Sequence, residues 1–127
     1  MSRFQLCVRA RFEAAHHLHS YRGGPEAAHD HAWQVEVELG TDVLDSEGIA
    51  HDFVPVRAAL AELAGRFDQL DINTVPPFDR QNPTAESLAV WFFEELERRL
   101  PGAPLASVTV WEGADCSASY RPKGGSP

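Results

Sequence analysis

The fold is decided by two stretches in which apolar and polar residues alternate: Phe4-Gln5-Leu6-Cys7-Val8-Arg9-Ala10-Arg11-Phe12-Glu13-Ala14-Ala15-His16 and His29-Asp30-His31-Ala32-Trp33-Gln34-Val35-Glu36-Val37-Glu38-Leu39. Side chains two residues apart on a strand point to the same face. Both stretches are therefore predicted to be strands with one apolar face each. His16 closes the apolar parity of the first stretch, and His29 and His31 open that of the second. We expect all three imidazoles on the face that meets the core.

Turn signals and helical spacing define the elements that follow. A turn at 45–48 leads into 49–53, which we expect to return as a short strand in a hairpin. A helix with Pro55 in its first turn is predicted because apolar residues follow at helical spacing, namely Leu60, Leu63, Ala64 and Phe67. Residues 68–82 contain so many prolines and asparagines that no regular structure is expected there.

A second helix and two strands complete the prediction. The helix should begin near Asn82-Pro83-Thr84, where Asn or Thr can cap the exposed amides, and end at Pro101-Gly102. Strands are expected over 105–112 and about 117–121. The order β-β-β-α-α-β-β indicates an α+β fold, with an antiparallel sheet and two helices on one face.

Length and charge limit the kinds of partner. With 127 residues and 43% hydrophobic content, we expect one domain over residues 1–122 and a loose tail at 123–127. The net charge is −8 and the 11 Lys and Arg form no basic stripe, which argues against nucleic acid or an anionic membrane as partner. No signal peptide or membrane-spanning run is apparent, so a cytoplasmic protein with reduced Cys7 and Cys116 is expected.

The histidine pattern predicts a metal site. His29 and His31 should project from one strand face about 6–7 Å apart, since a strand rises roughly 3.3 Å per residue. His16 would join them from the neighbouring strand. Imidazole nitrogens suit Zn²⁺, and three of them leave a fourth position open, as in catalytic zinc sites. The alternative is that these are polar strand-end residues bonded to the backbone.

A second unusual position is Glu112, which shares parity with Val108 and Val110 and so closes an apolar strand face. A buried carboxylate is costly without hydrogen-bond donors. One interpretation is a strand-end residue that reaches solvent. The other is an anchor for a flat heterocycle with adjacent N–H donors, because a carboxylate accepts two parallel hydrogen bonds in one plane. The sequence leaves both open.

Several motifs, taken in chain order, resemble those of the family of 6-pyruvoyl-tetrahydropterin synthase and 6-carboxy-tetrahydropterin synthase, zinc enzymes acting on dihydroneopterin triphosphate. These are Phe12-Glu13-Ala14-Ala15-His16-His17-Leu18, His29-Asp30-His31, Asp52-Phe53, Asn82-Pro83-Thr84-Ala85-Glu86, and Trp111-Glu112 followed by Tyr120-Arg121. The resemblance spans almost the whole chain.

The resemblance implies a site and an assembly. By it, His16, His29 and His31 bind zinc. Glu112 would hold the pterin ring, with Thr84 and Glu86 near the ring. It also implies the tunnelling fold, in which four-stranded antiparallel sheets, each with two helices on one face, join across subunits into a barrel. Active sites then form between the subunits of a homo-oligomer, usually a hexamer. The pathways to deazaguanine, biopterin and folate are left open.

Two positions depart from the family pattern. Where the family has a proton-transferring cysteine, four residues before the H-x-H pair, this chain has Pro25. The family's Leu-Asp-His element is Phe67-Asp68-Gln69 here, so the aspartate remains but an amide replaces the imidazole. Gln69 can hydrogen-bond but cannot shuttle a proton near neutral pH.

Glu26, beside the missing cysteine, is the candidate replacement. Some similar family members use a glutamate near this position and are associated with cutting the dihydroneopterin side chain to 6-hydroxymethyl-dihydropterin. A carboxylate near a metal-activated hydroxyl is a workable base. The catalytic candidates are therefore Glu26 and Asp68, and the alternative for Glu26 is a solvated loop residue.

Three functions fit these residues. The first is a zinc-dependent pterin lyase or synthase that acts on the side chain of dihydroneopterin or its triphosphate. The second is a pterin- and zinc-binding homologue that has lost turnover, because Pro25 and Gln69 remove two relay groups. The third is an unrelated zinc lyase or hydrolase, which would not depend on Glu112.

Overall fold

A computed structural model describes residues 2–24 and 27–123. The elements, in chain order, are strands β1 (Phe4–His16) and β2 (His29–Thr41), helix α1 (Phe53–Gly65), the short strand β3 (Leu70–Asp71), a 3-10 helix (Ile72–Thr74), helix α2 (Ala85–Arg99), and strands β4 (Leu105–Glu112) and β5 (Cys116–Tyr120). Among these residues, no helix is both long enough and apolar enough to cross a bilayer. The two long strands and the final hairpin match the sequence prediction closely.

The strands form one sheet in the order β3-β1-β2-β4-β5. β1 and β2 pair antiparallel along their whole length, and their register places His16 opposite His29. β4 lies antiparallel to β2 and places Glu112 opposite Trp33. The strands β1, β2 and β4, which carry His16, His29 and Glu112 near their ends, are therefore neighbours in the sheet.

The core lies between one face of the sheet and both helices. Its ring contacts centre on Phe12, which stacks against Trp33 at 5.9 Å between ring centroids and contacts Phe67 and Phe92. The buried side chains come from the predicted apolar parity of the strands and from one side of each helix: Val8, Phe12, Ala14, Trp33, Val35, Val37, Leu39, Val56, Leu60, Leu63, Ala64, Leu88, Ala89, Phe92, Phe93, Leu96, Val108 and Val110. This packing fixes which face of the sheet carries the site.

The predicted strand at 49–53 is wrong. Residues 49–52 belong to a loop, in which the carboxylate of Asp45 accepts hydrogen bonds from the N–H groups of Glu47 and Ile49. The Asp45 N–H also bonds to the Ile49 carbonyl, which closes the loop on itself. Asp52 then caps α1 by accepting a bond from Val54 N–H, so the helix begins at Phe53 and Pro55 lies in its first turn, as predicted. Local side-chain bonds thus replace the expected sheet ladder.

The expectation of four antiparallel strands also needs correction, because the sheet has five strands and is mixed. The additional strand is β3, which pairs parallel with Ala14 and Ala15. It lies in the segment 68–82, which was expected to be irregular and also contains the 3-10 helix. Asp71 stabilises this segment by accepting a hydrogen bond from Asn73 N–H. The predicted α+β arrangement itself is confirmed.

Candidate functional site

Three imidazoles converge where β1 ends and β2 begins. The ring centroids of His16 and His29 are 4.6 Å apart, those of His29 and His31 also 4.6 Å, and those of His16 and His31 5.3 Å. The ligand atoms of these three residues and of Glu112 all lie within 4.8 Å of one another. His16, His29 and His31 therefore meet as the strand parity predicted, and the described residues place His17, His19 and His51 outside this group.

Backbone carbonyls orient two of the rings. His16 Nδ1 lies 2.9 Å from the Pro83 carbonyl, and His29 Nδ1 lies 3.1 Å from the Ala27 carbonyl. A carbonyl only accepts, so each Nδ1 carries the proton, and in the neutral ring each Nε2 keeps its lone pair. This is the tautomer in which an imidazole binds a metal through Nε2 while its other nitrogen holds the ring in place.

The contact between His16 and Glu112 is the main evidence that a cation fits here. His16 is 3% exposed, and its Nε2 has no hydrogen-bond partner among the described residues, although Glu112 Oε1 is 2.6 Å away. A lone pair and a carboxylate oxygen at this separation repel each other unless positive charge lies between them or beside them. A tetrahedral zinc with bonds of about 2.0–2.1 Å spaces its ligand atoms roughly 3.4 Å apart. The ligand nitrogens of His16, His29 and His31 lie within 4.8 Å of one another, so small side-chain rotations would reach this spacing.

Burial lowers the pKa of His16 below its usual value of 6.5. The hydrogen bond to Pro83 and the Glu112 carboxylate oppose this shift, whereas His29 and His31 add to it. The net direction favours the neutral ring near neutral pH, because a charged imidazole would be poorly solvated at this depth. Neutral imidazole is the form that binds a metal.

The three side chains of His16, His29 and His31, called the imidazole group below, lie beside a cavity of about 350 Å³. Its walls are the ends of β1, β2 and β4, the first turn of α2 and the start of β5: His16, Leu18, His29, Thr84, Ala85, Glu86, Glu112, Cys116, Ser117 and Ala118. This volume lies at the small end of the roughly 300–1,000 Å³ typical of ligand pockets. The predicted substrate-binding residues Thr84, Glu86 and Glu112 thus share one cavity with two of the histidines.

Each of these three residues is held by its element. Thr84 is the N-cap of α2, where its hydroxyl accepts a bond from Ser87 N–H, and Glu86 lies exposed in the first helical turn. Glu112 is the last residue of β4 and has a side chain 30% exposed, so it lies between the core and the cavity. Behind it, Trp33 packs edge-on against His16 at 4.8 Å between ring centroids.

Two asparagines that the sequence reasoning missed fix the segment after His16. Buried Asn73 accepts a bond from His17 N–H and donates to the His17 carbonyl. Asn82 plays the same part slightly further along the chain, where its side chain accepts a bond from His19 N–H and donates one to the Ser20 carbonyl. Their positions in a segment rich in turn residues gave no sign of these long-range bonds.

Cys116, for which the sequence offered no role, is exposed and lines the cavity. The β4–β5 hairpin pairs it with Glu112, which places it there.

The catalytic candidate Asp68 lies outside the imidazole group. Asp68 follows α1 and accepts a hydrogen bond from Glu13 N–H at the outer edge of β1. Glu13 precedes His16 by three residues, which is about 10 Å along a strand. Glu26 and the neighbouring Pro25 lie outside the described residues, as do residues 124–127 of the predicted tail. Within one chain, Asp68 does not join the imidazole group.

Comparison with known proteins agrees with this architecture. The family model described as 6-pyruvoyl tetrahydropterin synthase matches residues 5–123. A dihydroneopterin monophosphate aldolase of Pyrococcus furiosus is 27% identical over 110 residues, which are 86% of this chain and 90% of the relative. A 6-carboxy-5,6,7,8-tetrahydropterin synthase of Aquifex aeolicus is 29% identical over an alignment of 119 residues, and the match covers 73% of each chain.

Solved structures share the fold. The 6-pyruvoyl tetrahydropterin synthase of Caenorhabditis elegans superposes with a TM-score of 0.81 at 20% identity, covering 94% of this chain and 95% of that one. The Plasmodium falciparum enzyme of the same name gives a TM-score of 0.75 at 15% identity, with coverage of 94% and 97%. The architecture and the histidine-lined cavity define a protein of the tunnelling-fold type. The chain belongs to the 6-pyruvoyl tetrahydropterin synthase family.

Proposed function

We propose that the protein is a zinc-dependent pterin lyase or synthase that acts on the side chain of dihydroneopterin or its triphosphate and gives a 6-substituted pterin. The observation that supports this most is the buried, unpartnered Nε2 of His16 facing the Glu112 carboxylate at the wall of a ligand-sized cavity. Family membership supplies the substrate class.

In this proposal His16, His29 and His31 hold the zinc ion. The donor set fits, because three neutral imidazoles leave one position open for a small molecule. Zinc bound there would polarise the substrate's side-chain oxygens and lower the pKa of its hydroxyl groups. Pro83 and Ala27 keep the rings of His16 and His29 in the required tautomer through their carbonyls.

Glu112 is assigned to the pterin ring. Its carboxylate can accept two parallel hydrogen bonds from adjacent N–H groups at the edge of the heterocycle, which fixes the ring's orientation. Thr84 and Glu86, on the facing wall of the cavity, would shape the space for the ring.

Glu26 and Asp68 are proposed to handle protons. A glutamate is described as the catalytic residue in a Plasmodium vivax 6-pyruvoyltetrahydropterin synthase, whose cysteine and alanine variants have been solved. A carboxylate can thus be the catalytic residue of a protein with this fold. Asp68 accepts a bond from Glu13 N–H, and Glu13 lies about 10 Å from His16 along β1, so we propose that Asp68 serves the cavity of an adjacent subunit.

A homo-oligomer, a hexamer by resemblance, is part of the same proposal. β3 covers β1 only at Ala14 and Ala15, and β5 forms the opposite edge of the described sheet. Open strand edges favour pairing with strands of other chains. Sheets from several subunits would then join into a barrel in a cytoplasmic enzyme.

The test is to assay zinc-loaded protein with dihydroneopterin and, separately, with its triphosphate, and to separate the pterin products by chromatography. We expect a new 6-substituted pterin from at least one substrate, and loss of that product in His29→Ala. His51→Ala is the matched control, because His51 lies in the 42–52 loop outside the imidazole group. Absence of any new pterin from both substrates would contradict the proposal.

A binding protein without turnover is the second candidate, favoured by Pro25 and Gln69, which stand where the family has its thiol and imidazole. It predicts zinc and pterin binding with no product. A rate that falls in Glu26→Ala while pterin affinity is retained would exclude it.

A further inference from the structure

Glu112 lies close enough to the imidazole group to share its cation. Its Oε1 is 2.6 Å from His16 Nε2 and 3.4 Å from His31 Nε2. The ligand atoms of these residues and of His29 all lie within 4.8 Å of one another, and among the described residues this is the group that could hold a metal ion. The same carboxylate is the proposed anchor of the pterin ring, so two partners compete for it.

Glu86 also lines the cavity, but its position relative to the histidines differs. It lies in the first turn of α2, and its carboxylate is not part of the group of candidate ligand atoms. Of these two carboxylates on the cavity wall, only that of Glu112 is placed to contact a cation held by the imidazoles.

The Glu112 carboxylate cannot serve both partners at once. Recognition of two adjacent N–H groups at the edge of a heterocycle uses both oxygens in one plane. Ligation of a cation uses one of the same oxygens, and Oε1 is the oxygen that lies near His16 and His31. A ring bound to Glu112 therefore draws Oε1 away from the imidazole nitrogens.

The backbone at Glu112 is fixed, whereas its side chain has room to turn. Glu112 is the last residue of β4, and the N–H of the following Gly113 donates to the Ala32 carbonyl. Gly113 has a φ of +77°, which glycine adopts readily and which suits the turn into β5. The Glu112 side chain is 30% exposed. Exchange between the two partners therefore needs rotation of one side chain and no movement of the sheet.

The number of ligands supports an exchange. A structural zinc has four protein ligands, whereas a catalytic zinc has three and keeps the fourth position for a small molecule. A carboxylate that can leave would give the site the first arrangement while the cavity is empty and the second when it is filled.

We propose, on the basis of the proposed function, that Glu112 is an exchangeable fourth ligand of the metal. In the empty cavity its carboxylate completes the coordination by His16, His29 and His31. A pterin ring takes the carboxylate through its N–H edge, and the vacated position becomes available to an oxygen of the pterin side chain. Seating of the ring thus opens the metal to the side chain.

The experiment uses cobalt(II) in place of zinc, because the visible absorption of cobalt(II) reports its ligands. The probe is pterin itself, which has the ring edge but carries no side chain and so brings no side-chain oxygen. In the unaltered protein, in its native assembly, we expect pterin to change the cobalt(II) spectrum. Saturating pterin should also weaken cobalt(II) binding by about tenfold, because ring and metal compete for Glu112 and such coupling is reciprocal.

Glu112→Gln tests the assignment. An amide is a poorer metal ligand than a carboxylate, so cobalt(II) should bind more weakly to the empty variant, by a factor similar to that caused by pterin in the unaltered protein. Pterin, raised to a saturating concentration, should then change neither the spectrum nor the cobalt(II) affinity. The control is Glu86→Gln, which removes a carboxylate from the same cavity but from outside the metal group. It should leave the cobalt(II) affinity of the empty protein unchanged.

Three outcomes overturn the inference. If saturating pterin leaves both the spectrum and the cobalt(II) affinity of the unaltered protein unchanged, Glu112 does not exchange, although conversion of dihydroneopterin or its triphosphate would still uphold the proposed function. If pterin changes the spectrum equally in Glu112→Gln, the ring reaches the metal without Glu112 and the inference is again wrong. If the protein binds neither cobalt(II) nor zinc, both the inference and the proposed function fail.

Discussion

His16 Nε2 lies 2.6 Å from Glu112 Oε1, although the two residues belong to strands that are separated by β2. The register places both side chains on one face of the sheet, because His16 is opposite His29, Glu112 is opposite Trp33, and His29 and Trp33 share a face of that middle strand. The burial of His16 and the tautomer set by Pro83 turn a lone pair toward the carboxylate.

Metal affinity should depend on each of the three imidazoles. His16→Ala, His29→Ala and His31→Ala should each weaken zinc binding by more than the roughly 10–100-fold that loss of an outer-sphere partner costs. Competitive titration with a chromogenic chelator measures this. His51→Ala should bind zinc as the unaltered protein does, and a normal zinc affinity in His29→Ala would refute the ligand assignment.

Glu112→Gln should separate ring binding from metal binding. The amide keeps the shape of the side chain but loses the charged acceptor, so pterin affinity should fall by about 10–100-fold, equivalent to about 1.5–3 kcal/mol for a hydrogen bond to a charged group. Zinc content, measured by mass spectrometry of the metal, should stay at one ion per chain. Loss of zinc with pterin affinity unchanged would instead make Glu112 a permanent fourth ligand.

Glu26→Ala should lower kcat with little change in KM. Removing a positioned base costs about 10²–10⁴-fold in rate, whereas a loop carboxylate that does not contact substrate costs nothing. Steady-state kinetics with the preferred pterin would measure kcat and KM separately. Glu47→Ala, an exposed glutamate in the 42–52 loop, is the matched control. Equal rates in the two variants would leave Glu26 as a solvated loop residue.

Asp68→Asn should also lower kcat and should spare zinc affinity. Its carboxylate accepts a hydrogen bond from Glu13 N–H, which the amide oxygen can still accept, so the fold should persist. Unchanged kcat in this variant would show that Asp68 only holds the edge of β1. Mixed oligomers of Asp68→Asn and His29→Ala chains should regain activity if the two residues serve a shared site.

Asn73→Ala should destabilise the protein by about 2 kcal/mol and weaken zinc binding. The substitution leaves His17 N–H and the His17 carbonyl without their partner beside the buried site, and an unsatisfied buried group costs about 1–3 kcal/mol. Thermal unfolding of the metal-free protein and chelator titration would measure the two effects. Asp79→Ala, exposed in the same segment, should change neither.

The strands that carry the site could be predicted because apolar and polar residues alternate along a strand that has one buried face. Alternation placed His16, His29 and His31 on one face, and the structure brings them together. The same reasoning predicted the apolar row that Glu112 closes, since Val108 and Val110 are fully buried. This alternation is visible in neighbouring residues of the sequence, without knowledge of contacts that are distant along the chain.

What the sequence could not predict depends on contacts distant along the chain. The bonds of Asn73 and Asn82 to the segment 17–20 join residues more than 50 positions apart. The strand expected at 49–53 failed because Asp45 offers its backbone a competing set of bonds. β3 pairs parallel with Ala14 and Ala15 because the end of α1 brings it there. The residues within 68–82 alone therefore could not predict this pairing.

X-ray absorption at the zinc edge of the purified protein tests the central claim most directly. We predict one zinc per chain whose nearest shell contains three imidazole nitrogens at about 2.0–2.1 Å and one further light atom that changes when a pterin is added. A protein without zinc, or a zinc spectrum without imidazole scattering, would contradict the account.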